Sequence, residues 1–113
     1  MRVEARKYLY DMQRAVALLR EFTVGKAFAD YEGEAMRRAA VEREFEIVGE
    51  ALAQLSKSDP EVAERITEHR RIIAFRNILI HGYADVDDRL VWDLVETKLP
   101  TLSREIEALL GSE

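Results

Sequence analysis

The 113 residues of this chain carry a net charge of −5, and 48% of them are hydrophobic and 35% charged. A chain of this length forms one domain (1–113), and its composition excludes a disordered or collagen-like protein. The absence of cysteine excludes disulfide bonds, thiolate zinc sites and cysteine nucleophiles. The longest apolar run, residues 15–19, is far shorter than the roughly 20 residues of a membrane span. No N-terminal segment resembles a signal peptide, so we expect a cytoplasmic protein with no membrane partner.

Apolar residues at steps of three and four dominate the first segment. This spacing predicts a one-sided helix from about Val3 to Phe22 or Val24, with Gly25 as its stop. Residues 25–33 show turn chemistry and no period, and we therefore predict a loop there.

The second helix shows the same spacing and should end near Ser56. Asp59 before Pro60 is typical of a helix cap followed by the first helical residue, which predicts a short helix over residues 60–66. The apolar positions of the second helix are Val41, Phe45, Val48, Leu52 and Leu55.

A third long helix is predicted from near Glu68 to His81, with Gly82 as the breaker. Its apolar residues surround the helix instead of lining one side, so we expect this helix to be central and buried. These residues are Ile72, Ile73, Phe75, Ile78, Leu79 and Ile80.

The last helix begins after Asp85 or Asp87, either of which can serve as its cap. Pro100 lies inside its apolar stripe and removes one backbone hydrogen bond, which predicts a kink without a change of direction. No segment alternates with a period of two, so the sequence predicts an all-α bundle of four to five helices.

Metal and phosphate-loop motifs are absent from the sequence. The residues three before His69 and His81 are isoleucines, so the Glu-x-x-His pairs of di-metal bundles are missing. The five glycines are scattered and form neither a dinucleotide fingerprint nor a phosphate loop. We expect no metal ion and no cofactor.

Three polar residues, Arg76, Asn77 and His81, interrupt the most apolar helix. Burying such groups without partners is costly, so they need either satisfied partners in the core or a functional reason. At 100° per residue, Asn77 and His81 lie about 40° apart, whereas Arg76 and His81 lie about 140° apart. A straight helix does not aim Arg76 and His81 at one atom. Either the helix end unwinds at Gly82, or a second subunit completes a site.

The order Arg76, four residues, His81, one residue, Tyr83 resembles the R-x-x-x-x-H-x-Y motif of HepT toxins in the HEPN superfamily. The segments RNILIHGY (residues 76–83) and FEIVGEA (residues 45–51) are also similar to that family. The likeness extends over nearly the whole chain.

This resemblance implies a metal-independent ribonuclease toxin that acts on RNA as a homodimer with a HEPN-like bundle. It implies that Arg76 binds the phosphate, that His81 transfers protons and that Asn77 hydrogen-bonds the imidazole or the substrate. Tyr83 resembles the tyrosine that the antitoxin, the minimal nucleotidyltransferase MntA, modifies with AMP. The added phosphates would repel RNA and block the site.

Three glutamates at four-residue steps line the second helix, Glu42, Glu46 and Glu50. The first interpretation is a solvated face braced by Arg38 and Arg43. The alternative gives Glu46 a supporting role beside Arg76 or His81.

A local excess of positive charge precedes the motif, with four arginines and one acid between residues 65 and 76. His69, beside Arg70 and Arg71, is interpreted as a surface residue, and contact with the RNA backbone is the alternative.

Three functions remain open on the sequence alone. They are the ribonuclease toxin, a non-catalytic HEPN module that binds a nucleotide or the nucleotidyltransferase, and a purely structural helical dimer. Arg76, His81 and Tyr83 favour the first two, which only a cleavage assay separates.

Overall fold

A computed structural model describes residues 1–82 and 86–111, and every regular element in these ranges is an α-helix. The predicted all-α class is confirmed. The described residues form seven helices, more than the four to five predicted, because two are short and the last predicted helix is divided. None of these helices combines the length and apolarity that a bilayer crossing requires. The helices are α1 (Val3–Thr23), α2 (Phe28–Glu32), α3 (Ala35–Ser58), α4 (Pro60–Ala63), α5 (His69–His81), α6 (Asp88–Thr97) and α7 (Leu99–Gly111).

The centre of the fold is the packing of α1 against α3, with α6 and α7 covering the other side of α1. The one-sided stripe predicted for α1 is confirmed, with Tyr8 and Phe22 only partly buried and the rest of the stripe buried. The chain then turns at Gly25 with φ +72°, a left-handed conformation that favours glycine. The buried residues of α1 are Ala5, Leu9, Met12, Ala15, Val16, Leu19 and Thr23.

The loop predicted for residues 25–33 is wrong for its second half, which forms α2. The Asp30 carboxylate accepts a hydrogen bond from the backbone N–H of Ala27 at 2.8 Å and so stabilises the first turn. Tyr31 is fully buried, and its ring stacks on Trp92 with the ring centroids 5.3 Å apart. A tertiary contact therefore fixes a five-residue helix that has no periodicity of its own.

The start of α4 confirms the predicted cap. The Asp59 carboxylate accepts a hydrogen bond from the α4 backbone, and Pro60 is the first helical residue. The helix ends at Ala63, three residues before the predicted end. The turn that follows is held by Glu105 of α7, which accepts hydrogen bonds from the backbone N–H and the hydroxyl of Thr67 at 2.9 and 2.7 Å.

The last predicted helix is divided into α6 and α7 at Lys98. Asp87 caps α6 through its side chain as predicted, whereas Asp85, the other predicted cap, lies outside the described residues. The interruption falls just before Pro100, which lacks the N–H needed to continue the hydrogen-bond ladder. The apolar stripe nevertheless remains buried across the break, at Trp92, Val95, Leu99, Leu102, Ile106 and Leu109.

The expectation that α5 is central and buried is wrong. The molecule measures 42 × 29 × 19 Å between Cα atoms, so along its thinnest direction it is only about two helix layers thick. Helix α5 packs against α3 and buries Phe75 and Leu79, with Phe75 edge-on to Phe45 at 5.6 Å. Its far side is open, and Ile78 and Ile80 are 50% and 45% exposed.

Candidate active site

The open side of α5 carries two of the polar motif residues. Asn77 and His81 are both exposed, and His81 is the last residue of the helix. Gly82 follows with φ −78° and ψ −10°, so the chain keeps helical angles past His81. The helix end does not unwind before His81, and the offset of about 140° between Arg76 and His81 is therefore preserved within one chain.

Arg76 lies against α3 because of Gly49. A Cβ atom on Gly49 would collide with the Cβ of Arg76, and it would lie 2.8 Å from the Cγ of Arg76 and 3.4 Å from the carbonyl oxygen of Ile72. Glycine thus lets the backbone of α3 approach the stem of Arg76 directly. The close approach fixes where the guanidinium emerges.

The guanidinium of Arg76 is held by two oxygen atoms at the edge between α3 and α5. Its Nη2 donates to the carboxylate of Glu50, and its Nη1 donates to Oδ1 of Asn77 at 2.8 Å. Its Nε is buried and has no hydrogen-bond partner among the described residues. The side chain is still 25% exposed, so a planar, permanently charged group reaches the surface and can bind an anion.

Glu50 is the residue beside Arg76 that sequence reasoning did not single out as a candidate site residue. A hydrogen bond from Gln54 at 3.1 Å, together with the nearby charge and hydrogen bond of Arg76, holds the pKa of the Glu50 carboxyl below its ordinary value. Glu50 is therefore ionised at neutral pH and stabilises one orientation of Arg76. The signal that could have found it is Gly49, since a glycine inside a long helix marks a close approach of another backbone.

The other two glutamates of the stripe have different surroundings. Glu46 accepts a hydrogen bond from Arg43 at 3.4 Å, which confirms that Arg43 braces this face. Burial and the charge of Asp88 raise the pKa of Glu42. Neither carboxylate is the partner of Arg76, and a supporting role for Glu46 stays a prediction.

Three further observations complete the description of the site and its surroundings. Tyr83, the predicted modification site, lies outside the described residues, directly after Gly82. In residues 1–82 and 86–111, no three His, Asp or Glu side chains lie close enough together to hold a metal ion. A cleft of about 300 Å³ between α1 and α7 is lined by Val16, Arg20 and Ile106, among others, and no residue of α5 lines it.

Comparison with known proteins identifies close similarity in sequence. The chain is 34% identical over 112 residues to "Probable ribonuclease HepT" of Thermococcus cleftensis, an alignment that covers 96% of this chain and 98% of that protein. It is 30% identical over 104 residues to "Putative RNase MJ1380" of Methanocaldococcus jannaschii, covering 92% of this chain and 94% of that protein. No solved structure matches the chain.

The family model described as "Ribonuclease HepT-like" matches residues 12–109, which include α3, α5 and the whole edge formed by Glu50, Arg76, Asn77 and His81. By this match and by its similarity to these relatives over nearly its full length, the chain belongs to the family of HepT-like ribonucleases.

Proposed function

We propose that this chain is the ribonuclease toxin of a toxin–antitoxin pair and that Arg76 and His81 are its catalytic residues. Membership of the HepT-like ribonuclease family supports RNA as the substrate. The observation that carries the proposal is the oriented guanidinium of Arg76 on the same helix that exposes His81.

The residue types fit cleavage of RNA by its own 2′-hydroxyl. The 2′-oxygen attacks the adjacent phosphorus, the bond to the 5′-oxygen breaks, and the products are a 2′,3′-cyclic phosphate and a 5′-hydroxyl. One proton leaves the 2′-hydroxyl and one is delivered to the departing 5′-oxygen. The imidazole of His81 can carry out either transfer, since its ring nitrogens can accept and donate a proton. No step in this scheme requires a metal ion or a cofactor.

Arg76 binds the phosphate that is cleaved. Its guanidinium offers parallel N–H groups to two phosphate oxygens and offsets the negative charge that grows on them in the transition state. Asn77 supports it by accepting a hydrogen bond from Nη1 at 2.8 Å. Glu50 restrains the other terminal nitrogen, and Glu46, one helical turn earlier and paired with Arg43, is a weaker supporting residue.

A second copy of the chain completes the site. The offset of about 140° prevents Arg76 and His81 of one helix from reaching one phosphate. The apolar side chains beside them, Ile78 and Ile80, are half exposed when residues 1–82 and 86–111 are considered. A homodimer that packs the last turns of two α5 helices together buries these isoleucines, leaves the first turns of α5 open and brings both copies of the motif to one cleft.

Tyr83 is the proposed control point. Two residues after His81, it is the tyrosine of the motif, and we propose that a minimal nucleotidyltransferase of the MntA type transfers AMP to its hydroxyl. Each AMP adds about one negative charge beside the arginine that must bind RNA, so the modified chain is inactive. Tyr83→Phe removes the acceptor oxygen and should remain toxic in cells that contain the nucleotidyltransferase.

The test of the catalytic assignment compares Arg76→Ala, His81→Ala and His69→Ala on a labelled RNA. The first two should lose roughly 10²–10⁴-fold in cleavage rate with their helical content unchanged. His69, the second histidine of the chain and at the opposite end of α5, is the matched control and should retain activity. Mass spectrometry should find a 2′,3′-cyclic phosphate, and a chelator should not change the rate.

Two outcomes would contradict the proposal. Full activity of His81→Ala would show that His81 does not transfer protons in the reaction. Binding of RNA or nucleotide without any cleavage by the unmodified wild-type protein would support the alternative, a non-catalytic binding module paired with a nucleotidyltransferase.

A further inference from the structure

Helix α5 presents a straight exposed stripe that leads to the catalytic residues. Its members are Arg70, Ala74, Asn77 and His81, all exposed, and helical geometry places them within an arc of about 60°. Arg70 and His81 are separated by eleven residues, or roughly 16 Å along the helix axis. The small side chain of Ala74 leaves the surface between them open.

The two neighbouring arginines at the start of this helix have different surroundings. Nη1 of Arg71 donates to Oε1 of Glu68 at 3.1 Å, and Nζ of Lys98 donates to the other oxygen of Glu68 at 2.7 Å. Arg70, in contrast, makes no ion pair or side-chain hydrogen bond in the described part of the chain. Of the two arginines, Arg70 is therefore the one with a guanidinium available to a ligand.

The position of Arg70 is not explained by the stability of the helix. The first turn of α5 contains no acidic residue, although acids are the residues that interact favourably with the positive end of the helix dipole. A cation in this turn opposes the dipole, and Glu68 offsets that effect for Arg71 only. A free arginine at a position that the helix disfavours fits a role in binding.

We propose that Arg70 binds a backbone phosphate of the RNA more than one nucleotide away from the bond that is cleaved. The strand would cross the open surface at Ala74 and reach the cleavage site at His81. This inference rests on the proposed function, since it assigns a second phosphate subsite to the same RNA. The occupant is single-stranded RNA, whose evenly spaced phosphates suit an arginine set apart from the catalytic residues.

The kinetic test uses Arg70→Ala with Arg71→Ala as the matched control, on an oligoribonucleotide and on a dinucleotide that is too short to reach Arg70. Arg70→Ala should raise KM for the oligoribonucleotide about fivefold and leave kcat unchanged. Neither variant should change the cleavage of the dinucleotide. Thermal unfolding should show Arg70→Ala to be as stable as the wild type or more stable, because a cation that opposes the helix dipole has been removed.

The binding test does not depend on cleavage. A fluorescent 2′-O-methyl oligoribonucleotide, which lacks the attacking hydroxyl, should bind Arg70→Ala more weakly than Arg71→Ala. The slope of log affinity against log salt should become shallower by about 0.7, the value for one phosphate contact on a single strand. Equal effects of the two substitutions, or no effect of either, would overturn the Arg70 subsite.

The experiments distinguish an incorrect assignment of the Arg70 subsite from an incorrect assignment of the ribonuclease function. A wild-type protein that cleaves RNA, together with an Arg70→Ala variant that matches it in KM and in salt slope, overturns the subsite alone. A wild-type protein that cleaves no RNA but loses affinity on Arg70→Ala overturns the ribonuclease assignment and supports the subsite.

Discussion

Helices α1 and α5 are both rich in apolar residues, yet a single chain uses them differently. Most apolar positions of the α1 stripe, among them Leu9, Met12 and Leu19, are buried against α3, α6 or α7. In the described part of the chain, helix α5 packs mainly against α3, where it buries Phe75 and Leu79, and it exposes Ile78 and Ile80. The folding of one chain therefore accounts for the apolar stripe of α1, whereas it leaves two large apolar side chains beside the motif of α5 exposed.

The exposed part of α5 is also where the motif lies. Asn77 and His81 share the open side with the two exposed isoleucines, and Arg76 reaches its edge from the contact with α3. Apolar residues that are held at the surface beside polar, oriented groups are typical of a surface that another molecule covers. The comparison therefore separates residues that build the fold from residues that are candidates for contact with another molecule.

The largest expected effect is on stability, and it is found by comparing one residue of α1 with one residue of α5. Leu9→Ala removes a side chain that is 0% exposed and should lower the free energy of unfolding by about 2–5 kcal/mol. Ile80→Ala should change it by no more than about 0.5 kcal/mol in dilute protein and should instead weaken self-association. Urea unfolding and sedimentation measure the two effects. An equal loss of stability in dilute protein would mean that α5 is packed within a single chain.

A medium effect is expected at Gly49 of α3, where α3 and α5 approach each other closely. Gly49→Ala places a methyl group against the stem of Arg76, and overpacking of this kind should cost about 1–3 kcal/mol and displace the guanidinium. Gly111→Ala is the control, because a methyl group there has nothing within 4 Å and alanine favours helix. Unfolding and cleavage assays on both variants test this. Normal activity and stability of Gly49→Ala would contradict the close approach.

The smallest effect on stability is expected at Glu50. Since its pKa is lowered in the folded protein, its contribution is present above the unfolded pKa of about 4.3 and disappears as the pH falls through the folded value. Glu50→Gln should therefore be less stable than the wild type by at most about 1 kcal/mol at pH 7, because the group is 48% exposed, and this difference should shrink as the pH falls below about 4.

The effect of Glu50 on activity should exceed its effect on stability. Glu50→Gln should lower kcat more than Glu46→Gln does, because only Glu50 contacts Arg76. Steady-state kinetics of the two variants provide the measurement. A larger loss for Glu46→Gln would restore the role that the sequence pattern suggested for that residue.

Local signals in the sequence predicted much of the fold. The spacing in α1, the Asp59 cap with Pro60, and the cap at Asp87 are all confirmed, because each depends on residues within a few positions of one another. Helix α2 was missed because the contact of Tyr31 with Trp92, a residue distant in the sequence, stabilises it.

The candidate site was predicted in part, for a related reason. The sequence shows that α5 has apolar residues on all its sides. It does not show which of these sides are covered by other helices of the same chain. The glutamates at four-residue steps were visible in the sequence. Their partners, however, depend on the relative position of α3 and α5 along their axes. Gly49 sets this position, which is why Glu50 and not Glu46 meets Arg76.

The most direct test of the account is a mixed dimer of Arg76→Ala and His81→Ala chains, isolated with two different affinity tags. Each variant alone should be inactive. If Arg76 of one chain works with His81 of the other, the mixed dimer contains one intact pair out of two and should recover about half of the wild-type cleavage rate. A mixed dimer as inactive as either parent would contradict the claim that the open side of α5 is completed by a second copy of the chain.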